Sequence, residues 1–204
     1  MFKYVRTKNI LVQSGRSMIE MLGVLAIIGV LSVGGISGYS KAMEMYKMNK
    51  VIDEYSSVFF NIQQIRANSK SNSGIGYKLL ESMGLLPTGW STFGGSLARD
   101  NDGNNSGIYI NDNYPQFLYF YLVLGGQNDA KYCRNMMQKL VQPLHNMVFA
   151  ASLSDQSHDN EVIYYGDKHC EQGKLCLSNL SISTIVDECN KCLAKNLCYV
   201  NIVW

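Results

Sequence analysis

The sequence predicts an α+β protein: a long N-terminal helix, transmembrane in its first half, packed in its second half on an antiparallel β-sheet head that carries disulfides. Three observations predict it. Residues 21–40, MLGVLAIIGVLSVGGISGYS, hold no charged side chain. An amphipathic stripe at helical spacing follows them, and beyond it β-favoured runs alternate with turn signals. All six cysteines lie between positions 133 and 198.

Composition sets the outer bounds. With 47% hydrophobic and 17% charged residues over 204 positions, the chain can build one ordinary globular domain with something extra. A net charge of +2, with no basic run interleaved with aromatics, gives no basis for nucleic-acid binding.

Residues 1–15, MFKYVRTKNILVQSG, contain Lys3, Arg6 and Lys8 and no acidic residue, the bias of a segment held on the cytoplasmic side of a membrane. The 20 uncharged residues after Glu20 span the roughly 30 Å hydrocarbon core at about 1.5 Å per residue. A secretory signal peptide competes with this reading. Against it, the apolar run exceeds the 7–15 residues usual for such peptides, and no A-x-A site follows. Glu20 argues more strongly, because a carboxylate at the edge of an apolar span costs on the order of 2.5–3.5 kcal/mol if carried to mid-bilayer. A plain signal gains nothing from it.

The string Gly15-Arg16-Ser17-Met18-Ile19-Glu20-Met21-Leu22, followed by GVLAIIGVL, resembles the type IV prepilin signature. In that family a dedicated peptidase cuts after the glycine, and the fifth mature residue is glutamate. The resemblance implies cleavage between Gly15 and Arg16 and N-methylation of Arg16 by the prepilin peptidase/methyltransferase. It implies that Glu20 sets subunit register by meeting the N-terminal amine of a neighbouring pilin. In low dielectric such a pair attracts and an unpaired charge is costly. Arg16 departs from the Phe, Met or Leu usual at that position. The partners implied are other pilin subunits, the inner-membrane assembly platform and membrane lipid. The localisation implied is an inner-membrane, single-pass precursor with a cytoplasmic N-terminus, then an extracellular or periplasmic filament.

Gly23, Gly29, Gly34, Gly35 and Gly38 are costly in a water-exposed helix, at about 1 kcal/mol each, but they let helices approach closely in a membrane or bundle. Gly34-Gly35 is also a point for local bending. From Lys41 the pattern turns amphipathic. Met45, Met48, Ile52, Tyr55, Phe59 and Ile62 recur at three- and four-residue steps, widened by Val51, Val58 and Ile65, with Glu44, Lys47, Lys50, Asp53, Glu54 and Gln63 opposite. The methionines read as core packing rather than a cofactor box. A helix from Arg16 to Asn68 would be about 80 Å long by the same rise. The chain thus divides into a leader (1–15), a transmembrane or filament-core segment (16–40), an amphipathic segment (41–68) and a globular head (69–204).

Residues 74–95 read as a loop with short helical potential. Its Gly84-Leu85-Leu86-Pro87 and Trp90 resemble the corresponding connection of type IVb pilins. Strands are expected at Gly94–Arg99 and Ser106–Asn111, joined as a hairpin by DNDGNNSG, whose Asp-Gly is a tight-turn signal. Asp100, Asp102 and Asn104 have calcium-loop spacing, but Asn105 stands where the glycine belongs and Asn111 where the glutamate belongs, so the segment reads as a solvated turn. Phe117–Leu124, FLYFYLVL, fits a central strand buried on both sides. A helix over Asn128–Gln142, with Met137, Leu140 and Val141 inward, a strand over Glu161–Tyr165, a helix over Ser183–Asn196 and a strand over Cys198–Trp204 complete the head.

Export of the head makes three disulfides the simplest use of Cys133, Cys170, Cys176, Cys189, Cys192 and Cys198, though six cysteines allow fifteen pairings. The resemblance to type IVb pilins implies that Cys133 bonds to a cysteine of the C-terminal group. A zinc site from His169 and neighbouring cysteines lacks the second short-spaced pair, and Cys189-x-x-Cys192 lacks the βαβ setting of a redox pair. No G-x-S-x-G, H-E-x-x-H or phosphate loop occurs, and His145, His158 and His169 are scattered. No catalytic residue, metal or cofactor is expected. The functional expectation is a structural pilin, major or minor, or a secretion pseudopilin. The alternative is a membrane-tethered or secreted binding protein behind an ordinary export signal.

Overall fold

The computed structural model describes residues 18–125, 129–155, 161–194 and 197–204. The leader with Gly15, and Arg16 after it, lie outside the described residues, as do His158 and Asn128. One continuous helix, α1, runs Met18–Asn68, and it passes from a first compact unit, ending at Met45, into a second, Tyr46–Trp204.

The second unit is an α+β head. Its elements after α1 are α2 (Tyr77–Ser82), β1 (Ser91–Phe93), β2 (Leu97–Arg99), β3 (Asn105–Ile110), β4 (Leu118–Gly125), α3 (Asp129–Met136), β5 (Ala150–Asp155), β6 (Val162–Tyr165), α4 (Ile182–Leu193) and β7 (Leu197–Val203). The seven strands form one antiparallel sheet in the order β1-β2-β3-β4-β7-β5-β6.

The stripe on α1 is the spine of the core. Val51, Ile52, Tyr55, Val58, Phe59 and Ile62 are buried, so the same three- and four-residue steps that stack side chains on one helix face bring them onto the sheet. Phe59 meets Phe120 of β4 edge-on at 4.7 Å and Trp204 at 5.3 Å, and Tyr55 meets Trp90 at 4.8 Å. Each such side chain contributes about 2 kcal/mol by leaving water. The packed stripe starts later than the pattern suggested, since Met48 is half-buried and Met45 is 52% exposed.

Sheet details correct several expectations. The strand over Phe117–Leu124 is central, but only Leu118, Phe120, Leu122 and Leu124 are buried, and Tyr119, Tyr121 and Val123 alternate with them on a half-open face. Tyrosine tolerates that face because its ring packs while its hydroxyl stays wet. Tyr109 stacks on Tyr119 at 5.2 Å, and Tyr121 lies over Gly107, where any Cβ would strike the ring. The expected hairpin forms between β2 and β3, and β1 and β4 extend it into a four-stranded meander. Gly94 and Gly95 take left-handed φ of 63° and 77° and turn the chain between β1 and β2, so that Ser91–Phe93 becomes a strand.

Strand β5 was not expected at all. Its sequence, AASLSD, is half polar, yet every residue is buried, with β7 pairing along all six residues and β6 along Ala150–Leu153. The helix expected over Asn128–Gln142 is α-helical only to Met136. It continues as a wide π-turn through Val141 and a tight turn at Gln142–Leu144 containing Pro143, which cannot donate to a helix. Helix α4 starts on Ser181, whose hydroxyl accepts the Thr184 N–H at 3.1 Å, and ends at Leu193.

All six cysteines are bonded. Cys133–Cys189 joins α3 to α4, Cys192–Cys198 joins α4 to β7, and Cys170–Cys176 closes a short loop after β6. Cys189 and Cys192 are therefore not partners of each other.

Candidate functional site

The residues singled out in the N-terminal segment can be placed from Met18 onward. Glu20 lies in the first turn of α1 and is exposed, beside Ile19 at 79% and Met21 at 58% exposure. A carboxylate there faces the positive end of the helix dipole, a favourable position of about 0.3–1 kcal/mol at a solvated surface. From Glu20 the helix is apolar on all sides to Ser40, and no residue of its most apolar stretch is buried. Among the described residues this is the one helix long and apolar enough to cross a membrane.

Polar and small groups inside that stretch are accommodated locally. The Ser32 hydroxyl donates to the Ile28 carbonyl at 2.7 Å, so it needs no outside acceptor. At Gly23, Gly29, Gly34, Gly35 and Gly38 an added Cβ would meet nothing within 4 Å. Their small size therefore answers to no contact among the described residues, and the helix is unbroken at Gly34-Gly35.

In the head, the acidic loop is a turn exposed at Asn101, Asp102 and Gly103, as the sequence suggested, but Asp100 at its start is not solvated. Asp100 is only 5% exposed, and its carboxylate is enclosed by donors. Oδ1 accepts the backbone N–H groups of Asp102 and Asn104 at 2.9 and 2.8 Å. Oδ2 accepts the Tyr55 hydroxyl at 3.0 Å and Asn104 Nδ2 at 2.9 Å. Burial, and next the charge of Asp100, hold the Tyr55 phenol protonated well above its usual range, so it always donates. The nearby Asp102 carboxyl is raised, first by burial and then by Asp100. Among the described residues no group of three His, Cys, Asp or Glu side chains could hold a metal ion.

Sequence reasoning missed Glu54. It was assigned to the polar face of α1, yet its carboxylate accepts Trp90 Nε1 at 2.9 Å and Asn101 Nδ2 at 3.1 Å, clamping α1 to the loops around β1 and β2. The available signal was position 54 beside Tyr55, at the edge of the buried stripe. The two described histidines stay apart in role. His145 Nδ1 lies 2.6 Å from Asp167 Oδ2, and His169 packs on Phe149 at 4.6 Å. Hydrogen bonds from Ser178 and then His145 hold the Asp167 carboxyl below its ordinary value.

No family model matches the chain, and no curated protein matches it. The fold and site together define a disulfide-braced α+β head whose core helix extends at its N-terminal end as an exposed apolar segment bearing one carboxylate.

Proposed function

We propose that this chain is a type IV pilin-like structural subunit, cut between Gly15 and Arg16, N-methylated on Arg16 and polymerised through the first half of α1. The observation that carries the reading is Glu20: a single carboxylate five residues beyond a glycine, at the head of an apolar helix with no covered residue in its most apolar stretch. In a packed bundle of such helices the carboxylate would be desolvated, and the amine of Arg16 on a neighbouring subunit is the partner that would make it tolerable. The five glycines, which no contact within the chain requires, are suited to close helix approach in that bundle.

On this reading the head is displayed outside the cell, where three disulfides persist. Its role is structural rather than catalytic, as a major or minor pilin or a secretion pseudopilin. The partners are other subunits of the filament, the processing peptidase/methyltransferase, the inner-membrane assembly platform and lipid.

The test is the mass of the mature N-terminus, paired with filament assembly by Glu20→Ala. A chain starting at methylated Arg16, with assembly lost in the variant, is expected. A start beyond Ser40 would instead make the segment an ordinary export signal, and normal assembly by Glu20→Ala would remove the role given to its carboxylate.

A further inference from the structure

A cavity of about 370 Å³ lies at one end of the head, between the last turns of α1 and the end of the sheet. Arg66, Lys168 and His169 line it together with Phe117, Phe149 and Trp204, and no aspartate or glutamate side chain does. Arg66 and Gln116 also line a second, more open cavity, with Gln63 and Lys70 and again no carboxylate.

Three features of this end are unexplained by the fold. The Arg66 guanidinium is partly buried, which lowers its proton affinity, and no carboxylate comes within 4.0 Å of it among the described residues. Its Nε donates to Asn72 Oδ1 at 3.1 Å, which holds the fork in place and leaves the terminal nitrogens to point elsewhere. Trp204, only 4% exposed, has no acceptor for its indole N–H, and Gln63 has none for its buried Nε2. A buried donor left unsatisfied costs about 1–3 kcal/mol, and partial burial of an unpaired cation adds to that. Arg66, Lys168 and His169, aromatic rings and the orphaned Trp204 donor around one cavity, with no carboxylate in its lining, make a setting that favours an anionic acceptor.

We propose that this cavity binds a small organic anion, an oxyanion group carried on a ring. The oxyanion lies against Arg66 and Lys168 on the Trp204 side, and the ring rests on Phe117 and Phe149. The volume suits a body of one ring rather than a polymer. Carboxylate and phosphate share the required chemistry, and the guanidinium fork fits either. The inference is independent of the filament reading, since it concerns the head alone.

The chain has two tryptophans, so its ¹⁵N-labelled form in detergent micelles gives two indole N–H signals, with Trp90 identified by its loss in Trp90→Phe. Benzoate, phenyl phosphate and inorganic phosphate are titrated separately. Benzoate or phenyl phosphate is expected to move the Trp204 signal saturably in the millimolar range while Trp90, bonded to Glu54, stays in place. Arg66→Gln and Lys168→Gln should each weaken the effect about tenfold, the unmoved Trp90 signal showing that the head is still folded. No movement with any probe overturns the proposal, as does equal movement of both indoles or unchanged affinity in the two variants. Inorganic phosphate binding as tightly as phenyl phosphate would mean an adventitious ion only, and would overturn it as well.

Discussion

The Tyr55 hydroxyl donates to Asp100 Oδ2 at 3.0 Å inside the head, joining the second half of the long helix to the turn between β2 and β3. Both residues are buried, and they stand 45 positions apart in the chain. Among the described residues no cation forms an ion pair with Asp100, and its four hydrogen bonds do the work of a counter-ion.

Removing the hydroxyl in Tyr55→Phe leaves three donors on the carboxylate and should lower the unfolding free energy by about 1.5–3 kcal/mol, the range for hydrogen bonds to a charged group. Asp100→Ala should cost more, because it strands Tyr55 and unties the Asp102 and Asn104 backbone groups at once. Chemical denaturation at neutral pH measures both. The double variant should show strong coupling, since the two side chains share one bond. A Tyr55→Phe loss below about 0.5 kcal/mol, the level of a neutral surface change, would show that the bond contributes little.

The disulfides should differ in strength by the loops they close. Cys133–Cys189 has a separation of 56 residues and Cys192–Cys198 a separation of 6. Loop-closure entropy assigns about 4 kcal/mol to the first and about 2 kcal/mol to the second. Replacing each pair by alanine and comparing unfolding midpoints under oxidising conditions tests the order. A larger loss from the short loop would point to packing of α4 against β7, rather than chain entropy, as the source.

Acid should weaken the head partly through Asp167. Hydrogen bonds from Ser178 and His145 hold its folded-state carboxyl below the ordinary 3.8, so the unfolded chain takes up this proton at higher pH than the folded one. The contribution is therefore complete above about pH 4 and is lost as pH falls through the lower folded value. Thermal midpoints of the parent and Asp167→Asn should differ at neutral pH and converge toward pH 2. A constant difference across that range would assign the effect to shape rather than charge. Since the group is exposed, the change is modest.

Much of the scaffold was legible because its signals are local. The uncharged run after Glu20, the steps of Val51, Tyr55, Val58 and Ile62, the β-rich Phe117–Leu124 and the Asp102-Gly103 turn each reflect a period or dihedral preference within a few residues. What failed was what depended on neighbours distant in sequence. Residues 150–155 carry two serines and an aspartate, and they become a buried strand only in the tertiary setting of β7, β6 and α4. Asp100 and Glu54 read as solvated charges, and only the approach of Tyr55, Trp90 and Asn101 makes them internal acceptors.

The same division holds at Glu20 and at the cysteines. The sequence by itself determined that one carboxylate heads an uncharged segment long enough to span a bilayer, since composition along a helix needs no tertiary contact to be read. It also determined that six cysteines share one region. Which of them bond, and which cations and rings meet around the cavity beside Arg66 and Trp204, only the tertiary structure decided. Those choices follow from how α1, α3 and α4 pack on the sheet that holds β7, and packing between distant segments leaves no periodic mark in the chain.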